Sequence, residues 1–137
     1  MIQQTEITLT PMSRGFHLVT AAIVRQLPKL PKTGIVHIFT KHTSCGLSLN
    51  ENCDPDVRDD METIFNRLAP ERCTDYRHTL EGPDDMPAHA KSTVCGVSLT
   101  IPITDGRLNL GTWQGIYFCE FRNHGGPRKL VVTVIGE

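Results

Sequence analysis

Six histidines occur in the sequence, and three of them, His42, His78 and His89, sit in segments crowded with small polar side chains. In His42-Thr43-Ser44 an imidazole and two hydroxyls follow a β-branched apolar stretch, and Glu51 and Asp54 come shortly after. Tyr76, Arg77, His78, Thr79, Glu81, Asp84, Asp85, His89, Lys91 and Ser92 then gather acids, bases and donors beyond what folding alone requires. Neutral imidazoles with a carboxylate make good ligands for zinc and similar ions and leave a position open for water or substrate. The same groups could work as an acid/base pair, because imidazole titrates near neutral pH. No two of the three histidines show the i, i+4 spacing of helical zinc motifs, so ligation would depend on tertiary contact. His17, His37 and His124 are read as structural: His37 lies inside a strand pattern and the other two adjoin turns.

A second cluster comprises Gly106-Arg107 and Gly111-Thr112-Trp113-Gln114-Gly115. Its glycines let a backbone come close to a ligand or another chain. Arg107 could hold a phosphate or carboxylate bidentately, with Lys91 as a further positive charge. The segment reads equally well as an ordinary turn, with Trp113 packed at an interface and Arg107 in an ion pair. Neither G-x-G-x-x-G nor G-x-x-x-x-G-K occurs, which excludes a dinucleotide enzyme or a P-loop ATPase. With 14 basic and 15 acidic residues the net charge is -1, too little positive charge for nucleic acid to be the main partner.

The elements that must position these groups follow from periodicity. Gln3 to Thr10 alternates as a strand, Phe16 to Val19 is a short second one, and Thr20 can cap a helix to about Leu27. Ile35 to Phe39 is a compact β-branched run suited to an inner strand. The clearest helix starts at Asp54-Pro55, puts Val57, Met61, Ile64, Phe65 and Leu68 on one face, and closes at Pro70. Asp75 to Ala90 reads as a long polar loop, and loops of that length usually have a function. A helical turn around His89 to Thr93 precedes three more strands, Val97 to Ile103, Gly115 to Phe121 and Leu130 to Ile135. The expected fold is α+β, with helices layered on a largely antiparallel or mixed sheet in one domain over residues 1–137.

The N-terminal stretch lacks the features of a signal peptide, and no apolar run is long enough to span a bilayer. The five cysteines are scattered without C-x-x-C spacing, which fits reduced, small hydrophobic side chains. A cytoplasmic, soluble protein without membrane contact is expected.

Several segments match one pattern together: Ser13-Arg14-Gly15-Phe16-His17, His42-Thr43-Ser44 with Asn50-Glu51-Asn52 and Asp54-Pro55-Asp56-Val57, Glu81 through His89, Gly111 through Gly115, and the closing Gly136-Glu137. In order and spacing they resemble the YjbQ-like family, also described as secondary thiamine-phosphate synthases. The resemblance implies a two-layer α/β sandwich with a mixed, largely antiparallel sheet and two to three helices, assembled as a homotrimer with sites between subunits. It also implies a transferase that joins a pyrimidine methyl diphosphate to a thiazole phosphate with loss of pyrophosphate. By similarity His42, His78 and His89 are the site histidines, assigned here to a divalent metal, with zinc or another transition metal favoured over magnesium. Glu51, Glu81, Asp85 and Lys91 are assigned to catalysis, and Ser44, Arg107, Thr112, Trp113 and Gln114 to a phosphorylated small-molecule substrate. The alternatives are a metal- or small-ligand-binding protein without turnover and a metal-dependent phosphoester hydrolase.

Overall fold

The computed structural model describes all 137 residues. In chain order the elements are β1 (Ile2–Leu9), β2 (Gly15–Leu18), α1 (Thr20–Val24), β3 (Thr33–Thr40), β4 (Cys45–Glu51), α2 (Pro55–Leu68), α3 (Asp85–Cys95), β5 (Ser98–Thr104), β6 (Arg107–Leu108), β7 (Gln114–Glu120) and β8 (Arg128–Gly136). The strands form a five-stranded sheet in the order β1-β8-β3-β5-β6 and a three-stranded sheet in the order β2-β7-β4, and every pairing is antiparallel. The α+β class, the antiparallel character and three helices agree with the sequence reading. The division into two sheets was not foreseen, because it depends on β4, a strand missing from that reading. Its signal is a period of two: Cys45, Leu47 and Leu49 all turn toward the core between the sheets.

Val36, Ile38, Ile101, Ile103, Leu130, Val132 and Val134 of the large sheet meet Cys45, Leu47, Ile116 and Phe118 of the small one. On the other face of the small sheet, Phe16, Tyr117, Cys119 and Phe121 pack under Ala88 of α3 and Met61 and Phe65 of α2. β7 therefore lies between two apolar layers, which explains why Gly115 to Glu120 is buried without alternation.

α2 starts as its sequence dictates, with the Asp54 carboxylate accepting the Asp56 N–H at 2.9 Å and Pro55 in the first position. It lies only along the rim of the aromatic layer, so Val57, Met61 and Phe65 are half-buried while Ile64 and Leu68 of the expected face stay exposed. The long loop ends earlier than its composition suggests. α3 already begins at Asp85, so the acidic and histidine residues there lie on a helix.

Candidate functional site

Asp85 opens α3, and His89 follows one turn later, so the two side chains share a face. His78 reaches the same carboxylate from the preceding loop. His78 Nε2 lies 2.6 Å and His89 Nε2 3.0 Å from Asp85 Oδ2, and the ring centroids are 5.3 Å apart. Asp85 is 1% exposed, whereas both rings keep one side toward solvent. The other carboxylate oxygen accepts Arg122 Nη1 at 2.5 Å. Arg122 also donates through Nε to Asp84 Oδ2 at 3.0 Å and through Nη2 to the Glu81 carbonyl at 3.0 Å. The Asn123 N–H adds a 2.9 Å bond to Asp84. Arg122 thus clamps the entry to α3 onto the end of β7.

Burial opposes ionisation of Asp85, but the hydrogen bond from His78 and the charges of His89 and Arg122 outweigh it and hold the carboxyl below its ordinary value. Asp84 is also held low: burial works against it, and the Asn123 N–H and Arg122 overcome that effect.

The protons around His89 do not add up for a neutral ring. Its Nδ1 lies 2.9 Å from the Thr43 carbonyl and its Nε2 3.0 Å from Asp85, and both partners are acceptors only. A neutral imidazole has one N–H. The arrangement is satisfied by an imidazolium, or by a cation at Nε2 with the single proton on Nδ1. The second is the usual form of a metal-bound histidine, oriented by a carbonyl behind it. One ligand atom from each of His78, Asp85 and His89 can be chosen so that all lie within 4.8 Å of one another. A tetrahedral zinc site requires about 3.3 Å between ligand atoms, so small ring movements suffice. The donor set of two imidazoles and a carboxylate fits zinc and similar ions better than magnesium.

His78 also lines a cavity of about 280 Å³ together with Arg72, Tyr76, Thr79, Pro83 and Met86. Pro83 and Met86 give the lining apolar surface, and Arg72, Tyr76, His78 and Thr79 are its polar or cationic residues.

The remaining sequence candidates lie elsewhere in this chain. His42 is not among the clustered ligands. Its Nε2 accepts the Lys129 N–H at 2.8 Å, and burial, followed by the Arg128 charge, lowers its pKa. Ser44 Oγ accepts from Arg128 at 3.0 Å, and Arg128 is paired with the fully buried Glu120. Lys91 is buried, with its Nζ on Asn66 Oδ1 at 2.7 Å, and burial followed by the nearby Arg14 charge lowers its pKa. Glu81 contributes its carbonyl to Arg122, while its side chain is exposed. Glu51 Oε2 accepts the Asp54 N–H at 3.0 Å and so steadies the entry to α2. Thr112 and Gln114 present their carbonyls to Asn52, and Trp113 is exposed. This group sits at the Glu51 end of β4, about 20 Å along the strand from the Cys45 end, which Thr43 adjoins. Arg107 lies on β6 at the margin of the large sheet, beside a different cavity with Asp105 and Asn109. Arg122 was missed, and Asp84 and Thr43 were named in their polar segments without a role in the site. A charged Glu-Phe-Arg closing the apolar run of β7 was the available signal for Arg122.

An antiparallel two-sheet α+β fold, with a histidine–carboxylate cluster at the start of the helix fed by its long polar loop, defines the class. The chain belongs to the UPF0047 YjbQ-like family, whose model matches residues 5–137. It is 53% identical to the UPF0047 protein YjbQ of Salmonella typhimurium and 50% identical to that of Escherichia coli O157:H7, each over the whole of both chains. A conserved hypothetical protein from Thermus thermophilus has the same fold, with TM-score 0.83, 34% identity and coverage of 93% of this chain and 97% of its own. A YbjQ-like protein from Sulfolobus solfataricus superposes with TM-score 0.85 at 23% identity, covering 100% of this chain and 99% of the other.

Proposed function

We propose that the chain is an enzyme whose centre is a divalent, zinc-like ion held by His78, Asp85 and His89, and that it acts on a phosphorylated small molecule in the adjoining cavity. The observation that carries this reading is His89, whose two ring nitrogens both face acceptors. Asp85 replaces His42 in the ligand set first expected. Bound there, the ion supplies positive charge to phosphate oxygens and to a departing pyrophosphate. Arg122 keeps Asp85 ionised and aimed, Thr43 fixes the His89 ring, and Arg72 offers a cation at the cavity wall.

The specific reaction proposed is the one the family resemblance implies. A thiazole-phosphate nitrogen attacks the methylene of the pyrimidine methyl diphosphate; the C–N bond forms as the C–O bond breaks, and pyrophosphate leaves with the electron pair. Lys91 and Arg107 are not part of this proposal, since one is buried in another network and the other lies at a different cavity. Phosphoester hydrolysis is the second reading, favoured by a three-ligand set that leaves a coordination position for water.

We also propose a homotrimer in the cytoplasm. Five free thiols suit a reducing compartment. The outer face of the large sheet places Ile2, Ile135 and Ile35 side by side in register, each exposed, as an apolar strip suited to subunit contact.

The test is product formation by zinc-loaded wild type and Asp85→Asn protein. Thiamine phosphate made by the wild type alone supports the transferase. Phosphate release from simple esters without thiamine phosphate moves the assignment to a hydrolase. Tight zinc binding without either product contradicts the enzyme reading and leaves a metal-binding protein.

A further inference from the structure

The C-terminal end of α3 is docked onto the small sheet through a vacancy. Gly46 on β4 has no side chain, and a Cβ placed there would stand 2.8 Å from Cys95 Sγ and 2.9 Å from the Gly96 carbonyl oxygen. Cys95 therefore occupies the position a residue-46 side chain would fill, and the Gly96 carbonyl accepts the Leu47 N–H at 3.1 Å beside it. The cross-strand partner of Gly46 is Cys119 on β7. Directly paired residues have Cβ atoms about 5 Å apart, so a sulfur in the Gly46 vacancy stands beside the Cys119 side chain. The two side chains pack in the same cluster, and the Cys95 thiol donates to the Leu47 carbonyl at 3.6 Å. Cys45 points the other way, into the core between the sheets.

The pair is asymmetric. Cys119 is fully buried, while Cys95 is partly open to solvent. The neighbouring Cys119 thiol lowers the Cys95 pKa against the opposing effect of burial, and the proximity of Cys95, together with burial, raises that of Cys119. Thiolate character and access make a cysteine the site of first oxidation, and a neighbouring thiol resolves the product.

We propose that Cys95 and Cys119 form a reversible dithiol/disulfide site that responds to hydroperoxides. The Cys95 thiolate sulfur attacks the peroxide oxygen, the O–O bond breaks, and a sulfenic acid and hydroxide (or alkoxide) result. Cys119 sulfur then displaces the sulfenic oxygen, the S–S bond forms, and water leaves with the thiol proton. Two electrons pass from the thiols to the peroxide, and a dithiol reductant reverses the link. The bond ties the helix that carries Asp85 and His89 to the strand that leads into Arg122.

Tryptic cleavage separates the two residues cleanly, because Ser92–Arg107 contains Cys95 alone and Leu108–Arg122 contains Cys119 alone. The full chain is exposed to hydrogen peroxide, alkylated in denaturant and digested without reduction. The expected result is a Cys95–Cys119 linked peptide, formed at the expense of both alkylated peptides and abolished by dithiothreitol. Cys119→Ser is expected to leave Cys95 as a sulfenic acid that a dimedone probe captures. Full alkylation of both peptides after peroxide would overturn the proposal, as would links that join Cys95 mainly to Cys53 or Cys73. The wild-type measurement decides the matter even if the variant fails to fold.

Discussion

Glu120 and Asp85 are both carboxylates withdrawn from water and gripped by an arginine, yet their surroundings differ in kind. Glu120 accepts Arg128 through Nε at 2.7 Å and Nη2 at 2.5 Å, and the Arg122 N–H at 3.1 Å, while Arg128 finishes on Ser44. Donors and acceptors match, and both side chains are sealed from solvent. Asp85 has an equally good arginine, but its second oxygen faces two half-open imidazoles, one of which already needs its proton elsewhere. A closed, balanced ion pair serves the fold. A half-open one at the edge of a cavity, balanced by an imidazolium or by a bound cation, is where the proposal places an ion.

The largest effect is expected where the balance is complete. Glu120→Ala leaves the Arg128 charge buried and unpaired, and should cost about 3–5 kcal/mol in a denaturant titration. A loss below about 1 kcal/mol would show that the pair is not the closed structural unit described. Next comes Asp85→Asn, predicted to weaken zinc binding by about 100-fold or more, since it removes a proposed direct ligand, with a smaller loss of stability than Glu120→Ala. Equal stability losses in the two variants would erase the contrast. Arg122→Gln should reduce zinc affinity about 10-fold, because Arg122 aims the carboxylate without touching the ion.

Arg122→Gln should also change the acid response. Asp84 and Asp85 have lowered pKa values in the folded state, so their stabilising contribution is complete above the ordinary carboxylate value of about 4 and disappears as the pH falls through the lowered values. Without Arg122 those values move up, and acid unfolding followed by circular dichroism should begin at higher pH. The smallest effect is assigned to His42→Asn, which should change zinc affinity by less than about threefold, as His42 anchors a loop through Lys129. A His42 effect as large as that of Asp85 would restore it to the ligand set.

Much of the fold was legible because its signals are local. Asp54-Pro55 marked the start of α2, and alternating or β-branched runs marked most of the strands to within a few residues. β4 was missed although Cys45, Leu47 and Leu49 alternate with Gly46, Ser48 and Asn50, because glycine and asparagine are poor strand formers; those small or polar residues lie on the opposite face, where α3 docks at Gly46. The polar segment after Asp75 correctly drew attention, but reading it as loop through Ala90 hid the one helical pair that mattered, Asp85 and His89 at i, i+4. Pro87 suggested a break, although proline is tolerated in the first turn of a helix. His78 and Arg122 come from opposite sides of α3 in sequence, and only the docking of that helix on the small sheet brings both to Asp85. Pattern within one segment could not reveal that.

The proposed metal centre is tested most directly by metal analysis of tag-free protein, with wild type, Asp85→Asn, His89→Ala and His42→Ala purified in parallel after equilibration with zinc. One tightly held ion per chain is predicted in the wild type and in His42→Ala, and none in Asp85→Asn or His89→Ala. A wild type that binds no ion, or an ion that survives loss of Asp85 and His89, would contradict the assignment.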